Sequence, residues 1–558
     1  MAAPLFGPMA DVNCHRCHWS RANMIVKQKN IPHLLFLLHP AWVWEVLLLS
    51  IATAVQAQNF HVGIGDGQDS LALRYKKYND IRTYQAQKLN KSQDENALGL
   101  MAYGPGKKHP WWALAEVTGV NAFVHLYDRY VISLKFAQTT MHTWRENFKN
   151  GFACDNDDFS TNLLMHPYHG NFYFNSARSQ GLNFWESAPF ALVGSLEWEF
   201  LGEIEPPTLN DLIASTFGGI CIGEVTNRIS RLFLNDRKRG WSRFWSEAAA
   251  TVFDPMGGLK RIATGDAWRV RDNHYLYHDK KALPIDFSIS MGDRYLADNG
   301  ALFHGEHNPY INLCLDYGDP VNEENNNAPY DYFNAEVTFG LSSYQPIINR
   351  LHLIGRLWSV PMLSRNDIRA EFGIYQHFDY LDSKPVKEGG NQTPYRISEA
   401  AAFGPGIIIQ MPSVGALQRL EQSTFLNGIL LGGTKSDYNS FIDRDYNMGS
   451  GFSIKSKTHL EMRGFGRFIL HAQYYRIFTW KGYEQKDRTN INPLHLNSQG
   501  DKGNAELLVI NPITEIDLKS NWSVLLSGSC FASRTHYKYY DDISSNTFEI
   551  RAGLMYLF

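Results

Sequence analysis

The chain has 558 residues, enough for more than one domain or for one large barrel, and 13% of them are aromatic. A formal net charge of −3 argues against a general nucleic-acid partner, which requires a basic surface. Two of its six cysteines stand near the N-terminus and the others are scattered at Cys154, Cys221, Cys314 and Cys530, with neither metal nor disulfide-framework spacing.

The first motif is Cys14-His15-Arg16-Cys17-His18, the spacing at which c-type haem is attached. Its address speaks against haem. Just downstream Met24, Lys27 and Lys29 precede an apolar run that ends in small residues, with Val55 and Ala57 where a signal peptidase reads. Residues 24–57 are therefore expected to be a secretory signal, and the Cys14, Cys17 and His18 set would leave with it as part of an upstream extension over 1–23. Pro40, His39 and Glu45 interrupt the run, so its remaining core is too short to span about 30 Å of hydrocarbon. Residues 58–109 read as a periplasmic lead-in, and the glycines of GIGDGQDS lack the strand-turn-helix setting of a nucleotide site.

Apolar residues recur at helical spacing over residues 110–250, which predicts a helical unit. One helix starts near Pro110 and breaks once; a second covers 185–203; a third opens at Thr208, with Asp211 as its capping partner. Gly219 and Gly223 lie four apart on that third helix, where a neighbouring backbone can approach closely. Glu197, Glu199, Glu203, Glu224 and Arg228 interrupt any span of the inner membrane by these helices. Pro167 is expected to hold His166 extended in a connecting loop.

In order, HPYHG, YFNSAR, FWES, GSLEWEF, PPTLNDLI and GGICIGE resemble a bacterial family known as domain of unknown function 3943. The resemblance covers roughly residues 110–235. It implies an exported Gram-negative protein with an outer-membrane barrel and implies no reaction, because none is established for the family.

Within that block His166 and His169 stand three apart, with Asp155, Asp157 and Asp158 upstream. On the second helix Ser195, Glu199 and Glu203 share one face at four-residue spacing. A Ser-His-carboxylate set for hydrolysis can thus be assembled from His166, His169, Ser195, Glu199 and Glu203, although no GxSxG elbow surrounds Ser195. A metal site is not expected, since no HExxH spacing appears, and no cofactor is expected. The competing reading makes Arg178, Asp211, Glu224 and Arg228 structural, pairing within the unit or against a polar lumen wall. Glu224 and Arg228 are four apart in the favourable order.

Residues 267–558 alternate with period two. Phe548, Ile550, Ala552, Leu554, Tyr556 and Phe558 oppose Glu549, Arg551 and Gly553; Phe452, Ile454, Leu460 and Met462 oppose Lys455, Lys457, His459, Glu461 and Arg463. Ile368, Ala370, Phe372, Ile374 and Phe378 likewise oppose Arg369, Glu371, His377 and Asp379. Only helices or closed barrels satisfy the backbone in lipid, and a barrel lumen accepts the charged face. The fold class is therefore a β-rich membrane protein, an antiparallel outer-membrane β-barrel of about 12 strands with an N-terminal helical unit. The polar stretches around 317–331, 383–395 and 480–504 are expected as long external loops. The expected location is the outer membrane, and the expected partners are its lipid and the barrel assembly machinery. Three functions compete: a barrel whose helical unit plugs, gates or braces it for transport or integrity; an envelope hydrolase using His166 and a carboxylate; and a structural or adhesive surface protein. The first is the working reading, because a barrel of this size must fill or regulate its interior.

Overall fold

The computed structural model describes residues 108–558 apart from 155–156, 271–283, 299, 302, 322–327, 366–367, 387–392, 439–444 and 483–499. The CHRCH stretch, the signal and the lead-in up to residue 107 lie outside the described residues, as does Asp155.

The C-terminal half closes into one antiparallel barrel of 12 strands. They are β1 (Ile285–Ala297), β2 (Gly305–Tyr317), β3 (Phe333–Gly340), β4 (Ile348–Arg365), β5 (Ile368–Asp382) and β6 (Arg396–Met411), followed by β7 (Leu417–Lys435), β8 (Tyr446–Met462), β9 (Gly466–Thr479), β10 (Gly503–Asp517), β11 (Trp522–Tyr537) and β12 (Ile543–Leu557). Every strand pairs with its sequence neighbours, and β1 with β12 through Ser288 and Leu557. No strand edge is left to meet lipid. The start of β1 and the end of β12 share one rim, called here the terminal rim. Short turns at 412–416, 463–465 and 518–521 return the chain there, and β4 ends and β5 begins at the same rim, whereas β5 ends and β6 begins at the opposite rim, as do β9 and β10.

One expected external loop is corrected. Segment 318–332 connects β2 to β3 at the terminal rim, and its ends turn into the barrel. Val321 and Tyr332 are buried with Ile354, Tyr375, Ile408 and Phe425. Arg356 holds it by ion-pairing with Asp331 at 2.9 Å and donating to the Pro320 carbonyl at 3.2 Å.

Ahead of the barrel come α1 (Pro110–Tyr127), α2 (Met141–Asn150), α3 (His166–Ser179), α4 (Phe184–Glu197), α5 (Leu209–Ile213), α6 (Gly219–Phe233), α7 (Gly240–Phe253) and α8 (Pro255–Ala263). Thr140 with Thr143 and Asn183 with Glu186 close reciprocal capping boxes at α2 and α4. His166 is helical rather than extended, and Pro167 falls in the first turn of α3. The π-turn Thr161–Met165 runs straight into α3, so Pro167 falls where the regular four-residue hydrogen-bond ladder is already interrupted. Thr208 does precede a helix, but its hydroxyl donates to Asp211 while Glu199 takes its backbone amide at 2.6 Å.

Strand β5 shows where the helices sit. Its Tyr375, His377, Asp379 and Leu381 alternate with Gln376, Phe378 and Tyr380. The first set faces the lumen, where Asp379 meets Lys455 of β8 and Tyr475 of β9. The second set is on the outer wall, yet Phe378 is 0% and Tyr380 1% exposed. Helical segments cover them: Gln376 donates to the Phe217 carbonyl at 2.8 Å, and Phe159 packs on Tyr380 at 5.3 Å. On β8 the outward Tyr446 accepts from Asn162 at 2.5 Å and donates to the Asp157 carbonyl at 2.7 Å. The helical unit is therefore on the outside of the barrel, and the plug arrangement considered from sequence does not match this placement.

The footprint is oblique. Phe287, Leu315, Ala335, Leu353 and Phe378 are successive cross-strand partners from β1 to β5. They share one apolar cluster with Phe174, Phe184, Ile220, Val225, Leu431, Tyr446 and Met448. A line perpendicular to tilted strands climbs the wall of a barrel. This one leaves the terminal rim on β1 and reaches the opposite rim on β8.

Helices α3 and α6 cross at glycine. A Cβ on Gly219 would stand 2.5 Å from the carbonyl carbon of Gly170, and one on Gly170 would stand 1.8 Å from the Ser215 carbonyl oxygen. Gly119 has nothing within 4 Å of its would-be Cβ. Gly219→Ala is expected to lower the yield of folded, heat-modifiable protein at least several-fold, and Gly119→Ala to leave it unchanged, as read by gel mobility with and without boiling.

Candidate functional site

The residues of the sequence block fall into three groups. In the first, His166 Nε2 stands 3.7 Å from Asp211 Oδ1 on α5, and Asp211 also accepts from Asn210 at 2.7 Å. Glu199 accepts from the Thr208 amide at 2.6 Å, while the Thr208 hydroxyl donates to Asp211. Both carboxylates are therefore engaged in opening the helix that follows Thr208. In the second, His169 contacts the Tyr173 hydroxyl at 3.2 Å, and its ring packs edge-on against Trp198 at 5.0 Å. Tyr173 in turn donates to Asn121 at 2.5 Å, and Glu203 accepts from the Trp198 indole at 2.5 Å.

Ser195 is buried, and among the described residues its hydroxyl has no hydrogen-bond partner. The structure thus brings His166 to a carboxylate and His169 to a tyrosine, and brings neither imidazole into a hydrogen bond with Ser195.

The third group is the core of the unit. Glu224 is completely buried on α6 between Arg178 Nε at 2.9 Å and Arg228 Nε at 2.8 Å. Arg178 also donates to the Leu182 carbonyl at 2.6 Å, closing the turn after α3. Arg228 donates to the Pro329 carbonyl at 2.7 Å and lies over the Tyr317 ring at 5.7 Å. The four-residue spacing of Glu224 and Arg228 revealed half of this group. Arg178, 46 residues away, joins it only because α3 crosses α6 at glycine. Arg228 reaches the barrel's exterior and the folded-in loop, not a lumen wall.

A second constellation lies inside the barrel. Lys455 Nζ pairs with Asp379 Oδ2 and Glu399 Oε2, both at 2.6 Å. Asp379 also accepts from Tyr475 at 2.6 Å and pairs with His352. Five strands, β4, β5, β6, β8 and β9, are tied together across the lumen by this one set. Towards β12, Arg551 pairs with Glu549 at 2.6 Å, Tyr395 donates to Glu549 at 2.9 Å, and Tyr395 stacks on Phe531 at 4.0 Å. A cavity of about 20 Å³ beside the first set is lined by Tyr332, His352, Phe425, Lys455, Lys457 and His471. That is room for about one water. Alternation had marked Lys455 and Asp379 as lumen-facing, but only barrel closure reveals that they meet.

Removing the cation leaves the buried Glu399 without its ion-pair partner and Asp379 with only His352 and Tyr475, at a cost of about 3–5 kcal/mol. Lys455→Met is expected to lower the urea midpoint of the folded band accordingly, and adding Asp379→Asn to restore part of the loss. His166→Ala breaks only one long contact of a nearly buried side chain and is expected to assemble, at a cost of about 1 kcal/mol relative to the parent in the same assay.

Comparison with solved structures returns outer-membrane barrels at low similarity. A monoaromatic hydrocarbon channel, CymD, is 9% identical with a TM-score of 0.19, covering 49% of this chain and 87% of its own. The outer membrane protease OmpT from Escherichia coli is 9% identical with a TM-score of 0.14, over 49% and 96%. An anion-selective porin from Comamonas acidovorans is 10% identical with a TM-score of 0.16, over 50% and 99%. No curated protein matches the chain. Residues 151–256 match the family model described as a domain of unknown function, DUF3943, so the chain carries that domain on the outside of a 12-stranded barrel.

Proposed function

We propose that this chain is an outer-membrane protein whose barrel is sealed by its own side chains and whose helical domain braces the outer wall, serving envelope integrity rather than solute diffusion. The observation that carries this reading is the set of ion pairs joining Lys455 to Asp379 and Glu399 across the lumen. Buried charges of this kind hold one arrangement, because separating any partner leaves a charge without compensation. The cavity beside them has room for about one water. The bracing role is supported by the oblique apolar footprint across β1–β8 and by the Arg228 contact to the folded-in loop.

The hydrolase reading has less behind it. His166 and Asp211 approach each other, but among the described residues neither imidazole of the block bonds to the Ser195 hydroxyl. Purified protein in a planar bilayer is expected to show no steady open-pore current, while the Lys455→Met, Glu399→Gln, Asp379→Asn variant shows intermittent conductance. A steady current from the unmodified chain would remove the sealed-barrel reading.

A further inference from the structure

The helical unit buries many polar groups beside its apolar ones. Asn121, Asn171, Asn175, Arg178 and Glu224 are buried between α1, α3 and α6, next to Ala113, Phe174 and Ala177. Glu116 of α1 also turns inward, accepting from Ser179 at 3.1 Å. The outward face of α1 is Trp111, Trp112, Ala115, Thr118, Gly119, Ala122, Phe123 and Leu126, without a single charge. Trp111 is 81% and Phe123 69% exposed, and Tyr130 and Val131 extend the face beyond the helix end. A helix bounded by water carries charged groups on its open face. This one reserves its polar groups for its neighbours, as segments surrounded by lipid do.

Position supplies the second argument. The unit rests on the outer wall along a line from one rim to the other, and the wall beside it presents exposed Ile407, Leu426 and Ile454. The apolar face of α1 thus belongs to the same exterior as the lipid-facing wall. With 18 residues, α1 is about 27 Å long, close to the height of the apolar band of such barrels. No helix among the described residues is long and apolar enough to cross a membrane by itself, and here none crosses alone, because the polar flank of α1 is satisfied by α3 and α4. At α7, Trp241, Phe244 and Trp245 form an exposed aromatic cluster with ring spacings of 5.5 and 5.1 Å. Exposed Arg237 and Arg239 immediately precede it. Tryptophan beside arginine is the composition of the headgroup layer.

We infer that the helical unit lies in the lipid of the same bilayer as the barrel. The charge-free face of α1 meets acyl chains, and the α7 cluster meets headgroups. This rests on the membrane reading of the barrel, and the test separates the two.

The full chain is placed in lipid nanodiscs at one copy per disc and oxidised with hydroxyl radicals. Modification rates are divided by the intrinsic reactivity of each residue type. Phe303, fully exposed between β1 and β2, reports water; Leu426 and Ile454 report the barrel wall. The expected result is that Trp111, Trp112 and Phe123 are modified at least five-fold more slowly than Phe303 and at rates similar to the wall residues. With one copy per disc, protection from a second chain is not available. If the wall residues are protected while Trp111 and Phe123 react like Phe303, the helices are in water and the inference is overturned. If wall and helix residues all react like Phe303, the membrane reading of the barrel falls with it.

Discussion

A chain in hydrocarbon has no water to take its backbone amides and carbonyls, so each must find a partner within the protein. The rest of this molecule follows from that demand. Closure of β1 on β12 removes the sheet edge, and closure fixes the face on which each side chain lies. Charged residues at alternate positions are turned inward, where they are deprived of bulk water as well. The lumen therefore becomes a second place where polar groups require partners. Lys455, Asp379, Glu399, His352 and Tyr475 supply one another.

The same demand orders the helical unit. Arg178, Glu224 and Arg228 are three charges with almost no solvent, made tolerable because each guanidinium also reaches a carbonyl. The glycines at 170 and 219 bring α3 and α6 close enough for Arg178 to touch Glu224. Backbone proximity, not intrinsic helix propensity, is what builds this core, since glycine within a helix costs about 1 kcal/mol relative to alanine.

Much of the barrel was legible because period two survives every local variation. Glu549 and Arg551 are in the lumen, with Ile550 and Leu554 on the wall, as the alternation of the last strand indicates. The helix after Thr208 was legible from its punctuation. The side of the wall occupied by the helices was not legible, for a simple reason. An outward phenylalanine reads the same whether it meets an acyl chain or, as with Phe378, a protein helix. The connection between β2 and β3 was misread because its polar composition suits a water-exposed loop, while Arg356, which holds its ends at Pro320 and Asp331, lies on another strand. In the helical block, types and spacing suggested a hydrolase set, but spacing along a helix gives only a shared face. It could not tell that Glu199 is committed to Thr208 and that Ser195 faces no imidazole.

The footprint on the outer wall also sets an order of events. The helical unit precedes the barrel in the chain, yet Asn162 bonds to Tyr446, 284 residues later. Its docking surface is a diagonal composed of residues from β1 to β8, and no such diagonal exists until those strands have paired in register. Contacts over such sequence separations form slowly, because the chain between them must be ordered first. The part of the protein made first is therefore locked in place late, using the finished barrel as its template.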